Sequence, residues 1–177
     1  MFVDQTEIDN SPGQLVGGFV GPGDIKYVNV PNRYGKYDGV IDQNDRVPLG
    51  DPTTPEIVYG FGPSFRWKGW DFSFFFQGVA KTSLFMSNLQ PFGEGFVRNL
   101  QTFIIENHWS PDNQNIHATY PRLTAIENKN NSQTSLYWMR DGDFLKLKNM
   151  ELGYTYKSMR FYLRGSNLLT FSKFDLW

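Results

Sequence analysis

The sequence predicts an all-β chain that forms a partial transmembrane antiparallel β-barrel: a few strands, long extracellular loops and one short loop helix. Three observations predict it. Aromatic residues (16 Phe, 9 Tyr, 5 Trp) make up 17% of the chain while its mean hydropathy is −0.46, which suits strands that are apolar on one side and polar on the other. Two pairs of segments alternate apolar and polar side chains with the two-residue period of a strand, each pair joined by a very short connection. Tight connections also alternate with long ones, the asymmetry that in outer-membrane barrels separates periplasmic turns from extracellular loops.

Residues 1–55 read as an N-terminal strand and extracellular loop region. The first 23 residues are polar and end in Gly21-Pro22-Gly23, with a short strand expected at Leu15 to Val20 and another at Ile25 to Val30. Pro31, Pro48, Pro52 and Pro55, with Asp and Asn between them, mark a long structured loop. At Glu56 the pattern changes. Ile57, Tyr59, Phe61, Phe65 and Trp67 fall on one parity, and Gly60, Gly62, Ser64 and Arg66 on the other. After Lys68-Gly69, Trp70, Phe72, Phe74 and Phe76 share one face, and Asp71, Ser73 and Gln77 the other. Residues 56–80 are therefore a β-hairpin, with arms of about 11 residues against the roughly 9 to 11 a tilted strand needs to cross a bilayer. Trp67 and Trp70 flank its turn as membrane-interface anchors.

Residues 81–143 form a long extracellular loop with one amphipathic helix expected near 95–107, where Phe96, Leu100, Phe103 and Ile104 share a side. Residues 144–177 carry the second hairpin. Met150, Leu152, Tyr154 and Tyr156 alternate with Glu151, Gly153 and Thr155; Lys157-Ser158 connects; Phe161 and Leu163 alternate with Arg160 and Arg164. Leu145 and Leu147 lie on the opposite parity from Met150 and Leu152, which calls for a bulge near Asn149 or for emergence of the strand above the membrane.

Composition excludes several functions. A net charge of −1 without a basic block offers nucleic acid no electrostatic footing. The absence of cysteine rules out disulfides and thiolate chemistry. The start, Met-Phe-Val-Asp-Gln-Thr-Glu, has no signal-peptide pattern, so an exported protein would carry its signal upstream. No run reaches the roughly 18 apolar residues of a membrane helix, which leaves a barrel open.

Ten phrases carry a family resemblance, in the family's order: Gly23-Asp24-Ile25-Lys26-Tyr27, Asp38-Gly39-Val40-Ile41-Asp42, Asn44-Asp45-Arg46, Pro55-Glu56-Ile57-Val58-Tyr59-Gly60, Phe74-Phe75-Phe76-Gln77-Gly78, His108-Trp109-Ser110-Pro111, Tyr120-Pro121-Arg122-Leu123, Arg140-Asp141-Gly142, the run Phe144 to Tyr154, and Gly165-Ser166-Asn167-Leu168-Leu169. Covering most of the chain from Gly23 onward, they resemble the C-terminal portion of SusC/RagA-type TonB-linked outer-membrane proteins. The resemblance implies a barrel of about 22 strands with an N-terminal plug and a TonB box, neither visible here, in the cell outer membrane. It also implies a SusD-like lipoprotein partner, energy from TonB acting on the missing part, import of oligosaccharides or peptides, and a chain that continues past Trp177. A second reading stays open at this point: a secreted carbohydrate-binding β-sandwich with a structural calcium loop.

Candidate sites are sparse. Asp38, Asp42, Asn44 and Asp45 match the second half of a calcium loop, but Tyr34 and Lys36 stand where its first acids belong, so a hydrogen-bonded Asx-rich turn is the stronger reading and no cofactor is expected. Tyr137, Trp138 and Arg140 are the ligand candidates, because flat aromatic faces match the CH face of a sugar ring while neighbouring Asn, Asp and Arg supply hydrogen bonds. Trp109 and Tyr120 read as packing residues. His108 and His117 sit in polar loops away from any recognisable nucleophile or acid pair, so no catalytic set is assigned and the chain is not read as an enzyme.

Overall fold

The computed structural model describes residues 1–86 and 101–174. The chain divides into two compact units, one drawn from residues 1–49, Met86 and 101–138, the other from 50–85 and 139–174.

The first unit has little regular structure. Helix α1 (Gln5–Asp9) is capped by Asp4, whose carboxylate accepts the Glu7 N–H. Strands β1 (Gly13–Gln14) and β2 (Val40–Ile41) pair in parallel, a 3-10 turn follows at Gln43–Asp45, and helix α2 (Thr102–Glu106) and a 3-10 turn at Leu136–Trp138 complete the unit. The strand expected at Leu15 to Val20 is replaced by the shorter β1, and no strand forms at Ile25 to Val30. There the Ile25 and Tyr27 N–H groups are taken by the side chains of Asn131 and Gln14, so the backbone has no ladder to join. Of the helix expected near 95–107, α2 is found, whereas 95–100 lie outside the described residues. Among the described residues, Phe2, Ile25, Ile41, Met86, Ile104, Trp109, Ala118, Tyr120 and Trp138 are this unit's buried apolar side chains.

The second unit is a twofold alternation made into a sheet. It contains β3 (Ile57–Phe61), β4 (Ser64–Trp67), β5 (Trp70–Ala80), β6 (Ser83–Phe85), β7 (Met139–Asp141), β8 (Phe144–Tyr156) and β9 (Met159–Ser172). The large sheet has the order β3-β5-β8-β9, with β4 also on β5, and all of its pairings are antiparallel; β6 and β7 form a small pair of their own. β3 and β4 are one hairpin arm interrupted at Gly62-Pro63, because proline has no N–H to give the ladder. The register is the same on both sides of the break. Lys68 and Gly69 both have positive φ (47° and 89°), the backbone that a two-residue hairpin turn requires.

The parity switch in β8 is a bulge. Phe75 pairs with Asn149 and Phe76 with Leu147, leaving Lys148 as the extra residue. On the other side Leu147 pairs with Leu169 and Asn149 with Ser166, so β9 also carries an extra residue at the same height, where Asn167 adopts a φ of 53°.

Candidate functional site

Cross-strand register sorts the sheet's side chains onto two faces. On one, Phe65, Phe72, Leu152 and Leu163 form a row, with Trp67, Trp70, Tyr154 and Phe161 in the row nearer the turns. Stacking runs along and across strands: Trp70 to Tyr154 at 4.6 Å, Phe61 to Phe76 at 5.3 Å, Phe72 to Phe74 at 5.6 Å and Phe74 to Phe76 at 5.7 Å between ring centroids. Trp70, Phe161 and Leu163 remain 48%, 60% and 76% exposed, so none of the described residues of this unit covers the face. Trp67 and Trp70 are direct cross-strand partners at the β4–β5 turn. The ammonium groups of Lys68 and Lys157, at the two tight turns, lie 4.9 Å and 5.4 Å from the rings of Trp67 and Tyr156.

The opposite face carries Arg66, Asp71, Ser73, Gln77, Glu151, Arg160 and Arg164, together with the aromatic rings of Phe75 and Tyr162. Its centre is Arg160, whose Nη2 donates to Asp71 at 2.5 Å and to Glu151 at 2.6 Å, while Nε donates to Asp71 at 3.2 Å. Asp71 is on β5 and Arg160 on β9, with β8 between them. Gly153 opens the way: a Cβ there would sit 2.7 Å from Arg160 Nη2 and from both Asp71 carboxylate oxygens. One guanidinium thereby links three strands.

The metal candidates are occupied otherwise. Asp42 caps the 3-10 turn by accepting the Asn44 N–H, Asp45 accepts the N–H groups of Val30 and Asp42, and Asp38 accepts that of Val40. Asn44 hydrogen-bonds back to Asp42 through its amide. Among the described residues no group of three or more His, Cys, Asp or Glu is arranged to hold a metal ion.

The ligand candidates divide between the units. Trp138 is 2% exposed and its indole N–H donates to the Asn131 carbonyl, so its ring is a packing element of the first unit. Tyr137 stands edge-on to it at 4.9 Å, and its hydroxyl donates to the Ala118 carbonyl. Arg140 lies on β7 in the second unit, opposite Leu84, with Nη1 donating to the Met139 carbonyl. His108 Nδ1 meets the Ile105 carbonyl, as expected of a loop histidine.

A polar cluster that sequence reasoning did not single out occupies the first unit's interior. Asp24 is fully buried and forms a two-point ion pair with Arg122, at 2.6 Å and 2.9 Å. Asn128 and Asn131 donate to the same carboxylate. Next to it, Gly23 has a φ of 82° and packs so closely on Trp109 that a Cβ would lie 2.2 Å from the indole. Burial raises the Tyr27 phenol to about 12, and its hydroxyl donates to the Asn130 carbonyl.

No protein-family model matches the chain. It is 31% identical over 147 residues to TonB-dependent receptor P3 of Formosa agariphila and 32% identical over 151 residues to TonB-dependent receptor P26 of the same organism. Its fold matches the RagAB peptide transporter with a TM-score of 0.57 at 22% identity, over 82% of this chain and 17% of that one. The chain belongs to the TonB-dependent receptors.

The RagAB peptide importer in its open-open state gives the same result, with a TM-score of 0.54 at 22% identity over 81% of this chain and 16% of that one. These likenesses are ones of fold. The alignments with the two Formosa receptors cover 77% and 78% of this chain but 14% and 15% of theirs, so the chain spans about one seventh of the length of these relatives. Its large sheet is accordingly a part of the barrel wall, as the alternation in the sequence predicts.

Proposed function

We propose that this chain forms wall strands and outer loops of an outer-membrane importer that takes up peptides or oligosaccharides with a SusD-like lipoprotein, driven by TonB through the rest of the receptor. The observation that carries this reading is the two-faced sheet. An aromatic and aliphatic face left uncovered in its own unit suits lipid, and a face on which Arg, Asp, Glu, Ser and Gln outnumber the rings of Phe75 and Tyr162 suits an aqueous lumen. Trp67 and Trp70 then anchor the sheet at one membrane interface, with Lys68 and Lys157 reaching for the headgroups. Peptide is the substrate class named for the RagAB neighbours, which supports it here.

The β-sandwich reading is disfavoured by the same face, since a sandwich buries its apolar side under a second sheet. No residue of this chain is assigned a catalytic role. The test is uptake of labelled peptides and oligosaccharides by cells with and without the parent receptor, in the presence and absence of TonB. Receptor- and TonB-dependent uptake of one class is the expected result. Unchanged uptake of both classes on receptor deletion would overturn the proposal.

A further inference from the structure

The first unit is tied together by a buried charge. Asp24 has no exposed surface, and its oxygens accept from the Gly21 N–H at 2.8 Å, from Arg122 Nε and Nη2 at 2.6 Å and 2.9 Å, from Asn128 Nδ2 at 2.9 Å and from Asn131 Nδ2 at 2.8 Å. All but the first of these donors lie 98 to 107 positions away in sequence. A second ring reinforces the first. Asn131 Oδ1 accepts the Ile25 N–H, Asn130 Nδ2 donates to the Ile25 carbonyl, Gln14 donates to Asn130 Oδ1, and the Tyr27 hydroxyl donates to the Asn130 carbonyl. Among the described residues no β-ladder joins 1–49 to 101–138, so side-chain bonds and a few loop contacts, such as Arg122 N–H to the Gly23 carbonyl, carry the connection.

We infer that Asp24 is an electrostatic latch: segments 14–27 and 122–138 are ordered together and released together, as one cooperative element distinct from the barrel wall. The asymmetry of the pair sets the direction of release. The Arg122 side chain is 28% exposed and can return to water, whereas Asp24 is wholly enclosed and is left unpaired unless its surroundings open as well. Opening then frees the Asn131 carbonyl that holds Trp138 and uncovers Tyr120 and Trp138, whose rings lie 6.2 Å apart.

The test is amide hydrogen exchange followed peptide by peptide in the full-length receptor, comparing wild type with Asp24→Asn, Arg122→Gln and Arg122→Lys. In Asp24→Asn and Arg122→Gln, protection of 14–27 and 122–138 falls together by roughly 100-fold, while that of β5, β8 and β9 is unchanged. Arg122→Lys, which keeps the charge but not the fork of donors, gives a smaller loss over the same two segments. Loss confined to one segment, loss spreading equally into the strands, or failure of the variants to assemble a barrel would each overturn the latch.

Discussion

Phe74 and Ser73 are neighbours in sequence on opposite faces of β5, so arginine at the two positions separates lipid from lumen. β5 is 11 residues long, which at about 3.4 Å per residue and a tilt of about 40° covers roughly 26 Å of the membrane normal, close to the apolar band of about 25 Å. Phe74 is four residues beyond Trp70 and so lies roughly 10 Å inside the interface at which Trp70 is proposed to sit, near the midplane. Arginine on the lipid face at that depth costs about 2–4 kcal/mol, and near the interface about 0–1 kcal/mol. Phe74→Arg is therefore expected to lower the folding equilibrium by roughly 30- to 900-fold and Trp70→Arg by a fewfold at most. Ser73→Arg should be close to neutral, since Ser73 pairs with Ser64 and Glu151 on the polar face and the new cation meets an acid there. Guanidinium titration of the parent receptor folded in lipid vesicles measures the three, with heat-modified gel mobility of outer-membrane fractions as the cellular readout. A Ser73→Arg variant as costly as Phe74→Arg, or a Phe74→Arg variant within about 1 kcal/mol of wild type, would refute the assignment of faces.

Filling the notch in β8 with Gly153→Val puts a side chain where Arg160 crosses to Asp71; in that background Arg160→Gln should cause no further shift in the guanidinium midpoint, whereas in wild type it lowers it. Asp42→Ala removes the cap of the Gln43–Asp45 turn and should cost about 1 kcal/mol, read as faster exchange of the Asn44 and Asp45 amides. Because the carboxylates of Asp38, Asp42 and Asp45 already accept N–H groups, chelation with EGTA should leave that exchange unaltered. Tyr27, pushed up to about 12 by burial, stays protonated in the folded receptor while an unfolded tyrosine ionises from about pH 10. Its contribution to stability is therefore fully present below about pH 10 and is lost as pH rises through about 12. Tyrosinate absorbance should lose one late-titrating group in Tyr27→Phe.

The wall was legible because each of its strands obeys one local rule. Period-two alternation places β3 to β5 and β8 to within a residue or two, and Lys68-Gly69 and Lys157-Ser158 sit where both hairpins turn. Even the bulge at Lys148 shows, because an extra residue flips every side chain beyond it and the leucines before and after it therefore differ in parity. The matching extra residue in β9 was not legible. Gly165, Ser166 and Asn167 are small or polar, so no apolar pattern exists there to be put out of step.

The loop unit was legible only as phrases. Gly23-Asp24 and Tyr120-Pro121-Arg122 stood out as words of a family, but nothing local says that Asp24 and Arg122 meet, since 98 residues separate them and neither lies on a periodic element. Periodicity reports burial only where a helix or strand imposes a repeat, and here the backbone of Ile25 and Tyr27 is paired by Asn131 and Gln14 instead. The reading of Trp138 as a ligand candidate came from the same blindness, because an aromatic in a loop is as free on paper as it is enclosed in the fold. What the sequence does offer is a glycine with a reason: Gly23 precedes the one fully buried carboxylate among the described residues, and only the absence of a Cβ lets the Trp109 ring close over that point. A glycine followed by an acid in a loop that shows neither alternation nor helical period is therefore worth testing as the floor of a packed, charged interior before it is written off as a turn.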